Sequence, residues 1–285
     1  MEIVEERLTA IALPLLQCGK VPVTQGFIGV TTSGRRTTMG RESSDYSAAV
    51  MGAALSAEDI QIWTDVDGVL TADPRVVTSP MKVKILSFEE AYELSFFGAK
   101  VLHPNTMLPA IEKNIPIHVY NSHHPQRSGT LVTTNSTSQH AVVKSIAYKR
   151  NVILLCVKPK KRFSQYIFWE HLLNILTKYG ANANLTASSE YSIVIALDAK
   201  NNIEAVVHEM IALGSVSVLQ NKAILCLVGS QIKDSPQLMS KLFSSLADLK
   251  IALISFGAST SNMSIIIDDD RILDAVKSVH AAFFS

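Results

Sequence analysis

Residues Thr31–Ala49 read TTSGRRTTMGRESSDYSAA. An apolar, strand-like run precedes them at Val21–Val30 (VPVTQGFIGV), and small residues at helical spacing follow over Ser47–Ala57. The order predicts a buried strand, a small-residue loop and a helix. Gly34 and Gly40 permit positive φ or close backbone approach, and Ser43, Ser44 and Asp45 all suit a helix N-cap. A helix N-terminus flanked by Arg35, Arg36 and Arg41 suits a carboxylate or a phosphate. Asp45 does not fit that role; among those cations it stays ionised and would orient an ammonium group or a nucleophile beside the anion. The same residues also describe a capped helix behind solvated arginines.

The 285 residues are 47% hydrophobic and 18% charged, enough apolar side chain for two or three domains. A formal net charge of +1 gives no electrostatic reason to expect nucleic acid or an anionic membrane as partner. Cys18, Cys156 and Cys226 are isolated and lie in apolar surroundings, which predicts buried thiols and a reducing, cytoplasmic setting. No apolar run reaches the ~18 residues of a membrane span. The first residues form an acidic amphipathic pattern, unlike a signal peptide, and Met1 leads into it as if the chain began inside a domain.

Ile3–Cys18 predicts a helix that Pro14 should kink or shorten. After the loop, Ser44 to about Leu55 predicts a helix whose small residues let it pack closely on a sheet. Asp59–Thr64 (DIQIWT) predicts the next strand and runs into Asp65, Val66, Asp67, Gly68, Thr71, Asp73, Pro74 and Arg75. In an open α/β sheet ligands sit at the carboxyl ends of strands, so this loop is a nucleotide-site candidate: its carboxylates could meet ribose hydroxyls and Arg75 a phosphate. Judged alone, the segment also reads as a type I turn at Asp67-Gly68 and an Asp-Pro turn at Asp73-Pro74. Phe88–Phe97 predicts a helix stopped by Gly98, which places Lys100 where it could reach phosphates; His103 before Pro104 reads as structural. Asn105–Lys113 predicts a helix, Ile115–Tyr120 a strand, and Asn121–Gly129 a turn-rich connection. His123-His124 lacks ligand spacing, so no metal site is expected. Thr133–Gln139 (TTNSTSQ) reads as a linker.

Beyond it, strands at Val142–Tyr148, Asn151–Val157, Asn184–Ser189, Ser192–Asp198 and Val216–Leu219 alternate with helices at Phe168–Tyr179 and Ile203–Leu213. A second unit repeats the order: strand Ala223–Val228, helix Pro236–Leu249, strands Ile251–Phe256 and Met263–Ile267, helix Arg271–Phe284. This predicts two ferredoxin-like modules packed together.

Three blocks carry a family likeness: TTMGRESSDYSAA (Thr37–Ala49), WTDVDGVLTADPRVV (Trp63–Val77) and FGAKVLHPNTMLPA (Phe97–Ala110). In this order and spacing the chain resembles the aspartokinases of the amino-acid-kinase family, in the lysine-sensitive branch bearing ACT domains. The resemblance implies an α/β fold: the C-terminal part of an amino-acid-kinase α/β sandwich over 1–138, then ACT modules over 139–219 and 220–285. It also implies transfer of the ATP γ-phosphoryl group to the side-chain carboxylate of L-aspartate, with Mg²⁺, as the first step toward lysine, threonine and methionine. By matching position, Arg41 and Ser44 would hold aspartate and Asp45 would organise substrate and catalytic lysine. Thr64, Asp65, Leu70, Arg75, Lys100 and Val101 would form the ATP site. The allosteric amino acid, lysine first and threonine second, would bind near Arg162, Gln165, Ala183, Asn184, Ser189 and Glu190, at an interface of a homodimer formed through the ACT modules.

The chain departs from the family where Glu42 and Ser43 replace two common glycines, and where Asn184 replaces an acidic residue. It also contains no KFGG motif, which in the family supplies the catalytic lysine. The expectation is therefore a truncated aspartokinase, inactive alone. The competing expectation is a non-catalytic, amino-acid-sensing regulatory subunit.

Overall fold

A computed structural model describes residues 2–40, 43–99, 102–134, 142–160, 164–199 and 202–284. They group into two units. The first is built on residues up to Ser145, together with Val228–Ser230 and Phe284; the second is built on the remainder from Ile146.

In the first unit, helix α1 (Glu2–Gln17) runs through Pro14 without a break. Of its residues only Ala12 is buried, and Ile11 is 69% exposed. The expected strand at Val21–Val30 shrinks to β1 (Ile28–Val30), paired antiparallel with β2 (Arg36–Thr38). Val21 and Val23 lie in water at 85% and 93% exposure. An apolar run becomes a buried strand only where a sheet supplies neighbours, and no described strand pairs with Val21–Gly26. Cys18 is exposed, contrary to expectation, because it falls in the turn after α1, beside Gly19.

Helix α2 (Ser44–Ala54) presents Ala49 and Ala53, both fully buried, and is followed by β3 (Ile60–Thr64). The small face is required: a Cβ on Gly52 would come within 2.6 Å of Ile60 Cγ1. Next come β4 (Ile85–Ser87), α3 (Phe88–Phe96), α4 (Pro104–Lys113), β5 (Ile117–Asn121) and β6 (Thr130–Thr133). The sheet order is β3-β5-β6-β4, with β3/β5 and β4/β6 parallel and β5/β6 antiparallel. Strands β4 and β6 were absent from the sequence expectation; at three and four residues they are too short to show a period.

The second unit holds β7 (Val143–Pro159) from Ile146 onward, its first three residues belonging to the first unit, then α5 (Gln165–Lys178), β8 (Ala183–Ser188), β9 (Ile193–Asp198), α6 (Ile203–Leu213) and β10 (Gly214–Gly229) up to Leu227. These are followed by α7 (Pro236–Ser245), β11 (Leu253–Phe256), β12 (Asn262–Asp268) and α8 (Ile272–Phe284). One six-stranded sheet runs β11-β12-β10-β7-β9-β8. The two strands expected on either side of Lys149-Arg150 are one strand, and so are the two around Gln220-Asn221; each carries an asparagine at positive φ, Asn151 at 57° and Asn221 at 54°. The second β-α-β-β-α repeat has no fourth strand of its own in sequence, and β7 stands beside β10 to complete it. Phe168 and Leu172 of α5 pack with Met210 of α6 onto Leu155, Ile195 and Leu197 of the sheet. No helix among the described residues is long and apolar enough to cross a membrane.

Candidate nucleotide and substrate site

Parallel pairing places Thr64 opposite Asn121, so the carboxyl ends of β3 and β5 open side by side. The Thr64 carbonyl accepts from Ser122 N at 2.8 Å and from Ser122 Oγ at 2.9 Å, joining the two strand ends. Beyond them, Asp67 accepts from Asn121 Nδ2 at 2.8 Å and from Arg127 Nη1 at 2.6 Å. The Asn121 hydrogen bond, reinforced by Arg127, holds the Asp67 carboxyl below the ordinary carboxylate range, so it remains ionised further into acid than a free aspartate. Asp67 is therefore a brace for the loop, and Asp65, exposed with Thr64 Oγ1 donating to it at 3.1 Å, is the carboxylate offered to solvent.

The rest of the loop is pinned through its backbone. Buried Thr130 accepts from Val69 N at 2.9 Å and donates to the Val83 carbonyl at 2.7 Å. Thr71 N donates to Met81 O at 2.8 Å, and Val83 N donates to Val69 O at 2.9 Å. Arg75 closes the loop: Nη2 reaches Asp73 Oδ2 at 2.7 Å and Nε reaches Oδ1 at 3.0 Å, with the guanidinium side chain 75% exposed. A paired guanidinium presented to water is a preoriented cation for a phosphate. Lys100 and Val101 lie outside the described residues.

At the other block, Ser43 occupies the N-cap of α2, yet its hydroxyl turns back to the Gly40 carbonyl at 2.7 Å and makes no side-chain cap bond. The first-turn N–H groups are thus not taken by the cap side chain, which suits an anion there. Ser44 is exposed and Asp45 half-buried in that first turn; Arg41 lies outside the described residues. Ser47, which the sequence reading passed over, organises the corner by accepting from Phe27 N at 3.1 Å and donating to Ser43 O at 2.9 Å.

The expected effector residues are dispersed in a single chain. Ala183 opens β8, and Asn184 is the extra residue of a bulge between the Ala183–Leu197 and Leu185–Ala196 pairs. Its amide oxygen accepts from Lys149 Nζ at 2.8 Å and its nitrogen donates to Asp198 Oδ1 at 2.8 Å, while Lys149 and Asp198 pair directly at 2.8 Å. Ser189 bonds Ser192 across the β8–β9 turn, and Glu190 stands exposed at its tip. Asn184 sits in the bulge near the start of β8, whereas Ser189 and Glu190 lie in the turn beyond its end at Ser188. Arg162 and the Gln165 side chain lie outside the described residues.

The residues missed in the sequence are Asn121, Arg127 and Thr130. The only signal in the sequence was that Asn121 and Arg127 lie in a turn-rich segment that follows a strand; nothing marked Thr130.

Residues 2–121 match the model of the amino acid kinase family, and residues 225–283 match that of an ACT domain. The chain belongs to the amino acid kinase family and carries an ACT domain C-terminal to its kinase-type α/β unit. Its homologues are aspartokinases. It is 38% identical to aspartokinase 3, chloroplastic, of Arabidopsis thaliana over 93% of this chain and 49% of that protein. Escherichia coli aspartokinase III in complex with aspartate and ADP, in the R-state, superposes with a TM-score of 0.87 at 33% identity, over 98% of this chain and 64% of that one. The T-state complex of that enzyme with lysine and aspartate gives 0.81 at the same identity, again over 98% of this chain and 64% of that one. The chain thus spans about half to two thirds of the length of these relatives.

Proposed function

We propose that this chain acts in an aspartate kinase: residues 1–138 bind ATP and present L-aspartate, and ACT modules over 139–219 and 220–285 sense an amino acid. The observation that carries the reading is the braced loop at the carboxyl ends of β3 and β5, which offers an exposed carboxylate at Asp65 and a preoriented cation at Arg75. Phosphoryl transfer needs placement of the donor and acceptor and neutralisation of the transferred charge. Thr64, Asp65 and Leu70 line the nucleotide position, and Arg75, with Lys100, draws the phosphates toward it. The α2 N-terminus, with Arg41 and Ser44, holds a carboxylate of aspartate, and Asp45 takes its ammonium group. Asp65, the exposed carboxylate of the loop, would help hold Mg²⁺ arriving with the nucleotide, which would supply further charge neutralisation.

Trp63 adjoins Thr64 and reports the site. In a Trp169→Phe background, Mg·ADP is expected to change Trp63 fluorescence saturably, with about tenfold weaker binding in Arg75→Ala. No saturable change at millimolar nucleotide would overturn the nucleotide reading.

The effector reading is lysine, with threonine as the comparator, at an interface between ACT modules of two chains. Glu190→Gln is expected to weaken lysine binding about tenfold by calorimetry, through loss of a charge-assisted bond. Unchanged affinity would remove Glu190 from the pocket.

A further inference from the structure

Besides Asn121, Arg127 and Thr130, the nucleotide loop is held by the nearby Met81–Val83 segment and by a residue 75 positions away. Residues 69 and 71 bond the Met81–Val83 segment: Val83 N donates to Val69 O at 2.9 Å, Thr71 N donates to Met81 O at 2.8 Å, and Met81 N donates to Thr71 Oγ1 at 2.9 Å. Leu70 pairs antiparallel with Lys82 between them. In such a pair, alternate residues direct their backbone groups outward, so the Leu70 carbonyl faces away from Met81–Val83. That outward carbonyl receives the hydroxyl of Ser145 at 2.7 Å.

Ser145 is 3% exposed and is the third residue of β7. The residue before it, Lys144, is also buried and bonds Glu90 Oε2 at 2.8 Å. Successive strand residues point to opposite faces, so the start of β7 is fixed from both. Lys144 secures the strand to α3, and Ser145 then secures Leu70 to the strand. The Leu70 carbonyl is half-buried and has no strand partner on that side among the described residues, so the Ser145 hydroxyl is the donor that fixes where it sits, and moving it away would forfeit that bond.

We propose that Ser145 is a positioning residue for the nucleotide site: its hydroxyl sets the backbone of Leu70, and through it the loop from Asp65 to Arg75. This rests on the nucleotide reading above. Ser145 and Leu70 both belong to the first unit, so the bond acts within it.

The test measures Mg·ADP affinity by Trp63 fluorescence in the full 285-residue chain carrying Trp169→Phe, with amide exchange of residues 66–72 as an independent readout. Ser145→Ala is expected to weaken ADP about tenfold and to speed exchange in that loop, while Ser145→Thr, which keeps the hydroxyl, stays within about twofold of the parent. Thr and Val differ at this position only by hydroxyl against methyl. Ser145→Val should therefore behave as Ala does, and the Thr–Val comparison decides the matter should the Ala variant not fold. Parent-like affinity and exchange in both Ala and Val variants would overturn the proposal. If the parent itself binds no ADP, the nucleotide reading falls, and so does the role assigned to Ser145 in it; the exchange data then decide whether the hydroxyl anchors the loop. Equal weakening in Thr and Val variants would show that packing, not the hydroxyl, is responsible, and would also overturn it.

Discussion

Lys144→Met is expected to destabilise the protein by about 3–5 kcal/mol, the cost of leaving a buried charge without its partner. The side chains of Lys144 and Glu90 are 4% and 1% exposed and meet at 2.8 Å. Glu90 has a second duty at the N-terminus of α3: its Oε2 accepts from Ser87 N at 2.7 Å while Ser87 Oγ accepts from Glu90 N at 3.0 Å, forming a reciprocal capping box. Its other oxygen, Oε1, is buried with no hydrogen-bond partner among the described residues, so the carboxylate depends heavily on the lysine. Removing the ammonium leaves a desolvated anion at a helix start, a loss comparable with a large part of the ~5–15 kcal/mol that holds a typical domain. Glu90→Gln in the same background keeps an oxygen for the Ser87 N–H and removes the unpaired charge. Chemical denaturation should therefore show the double variant regaining most of the loss. A single variant as stable as the parent, or a double variant no better than the single, would show that the pair is not what stabilises this strand.

Gly68→Ala is expected to lose about 3–5 kcal/mol and most of the affinity for nucleotide. Gly68 has φ of 103°, a conformation that costs a residue with a side chain about 1–3 kcal/mol, and a Cβ there would sit 2.5 Å from Thr130 Oγ1 and 3.0 Å from Thr130 N. Thr130 is fully buried on β6, and its hydroxyl is the bond between Val69 N and Val83 O, so it has nowhere to go without releasing both. Each released bond adds about 1 kcal/mol. Thr130→Ala in the Gly68→Ala background relieves the contact while giving up the same two bonds. The double variant should therefore be markedly less damaged than the sum of the singles. Strict additivity in urea midpoints, or a Gly68→Ala chain that binds Mg·ADP as the parent does, would refute the account.

Much of the architecture was legible because it rests on local chemistry. The small-residue face of α2, the stop at Gly98, the helix after Pro104 and the helices of the ACT region all followed from spacing and end signals, and the three blocks pointed to the family. The errors have physical causes. Val21–Val30 is apolar enough for a buried strand, but burial is supplied by neighbours, and its described neighbours leave it in water. Lys149-Arg150 and Gln220-Asn221 read as breaks between strands, whereas Asn151 and Asn221 take positive φ and let each strand pass on through the sheet. Asparagine tolerates that conformation, so a polar turn signal and a kink within one strand look alike in the sequence.

The candidate site divides along the same line. Asp65, Arg75, Ser44 and Asp45 lie on contiguous segments, and residue type together with the preceding strand or following helix was enough to select them. What braces them comes from elsewhere in the chain: Asn121 and Arg127 on Asp67, Thr130 on Val69, and Ser145 on Leu70. Those partners lie 54 to 75 residues away, and no periodicity or local propensity encodes such a pairing. The sequence by itself determined most of the helices and the set of polar groups from which a ligand site could be drawn, because propensity, capping and turn chemistry act over a few residues. Only the tertiary structure decided which of those groups is offered and which is a brace, separating Asp65 from Asp67, because a carboxylate's role depends on the donors that packing places against it.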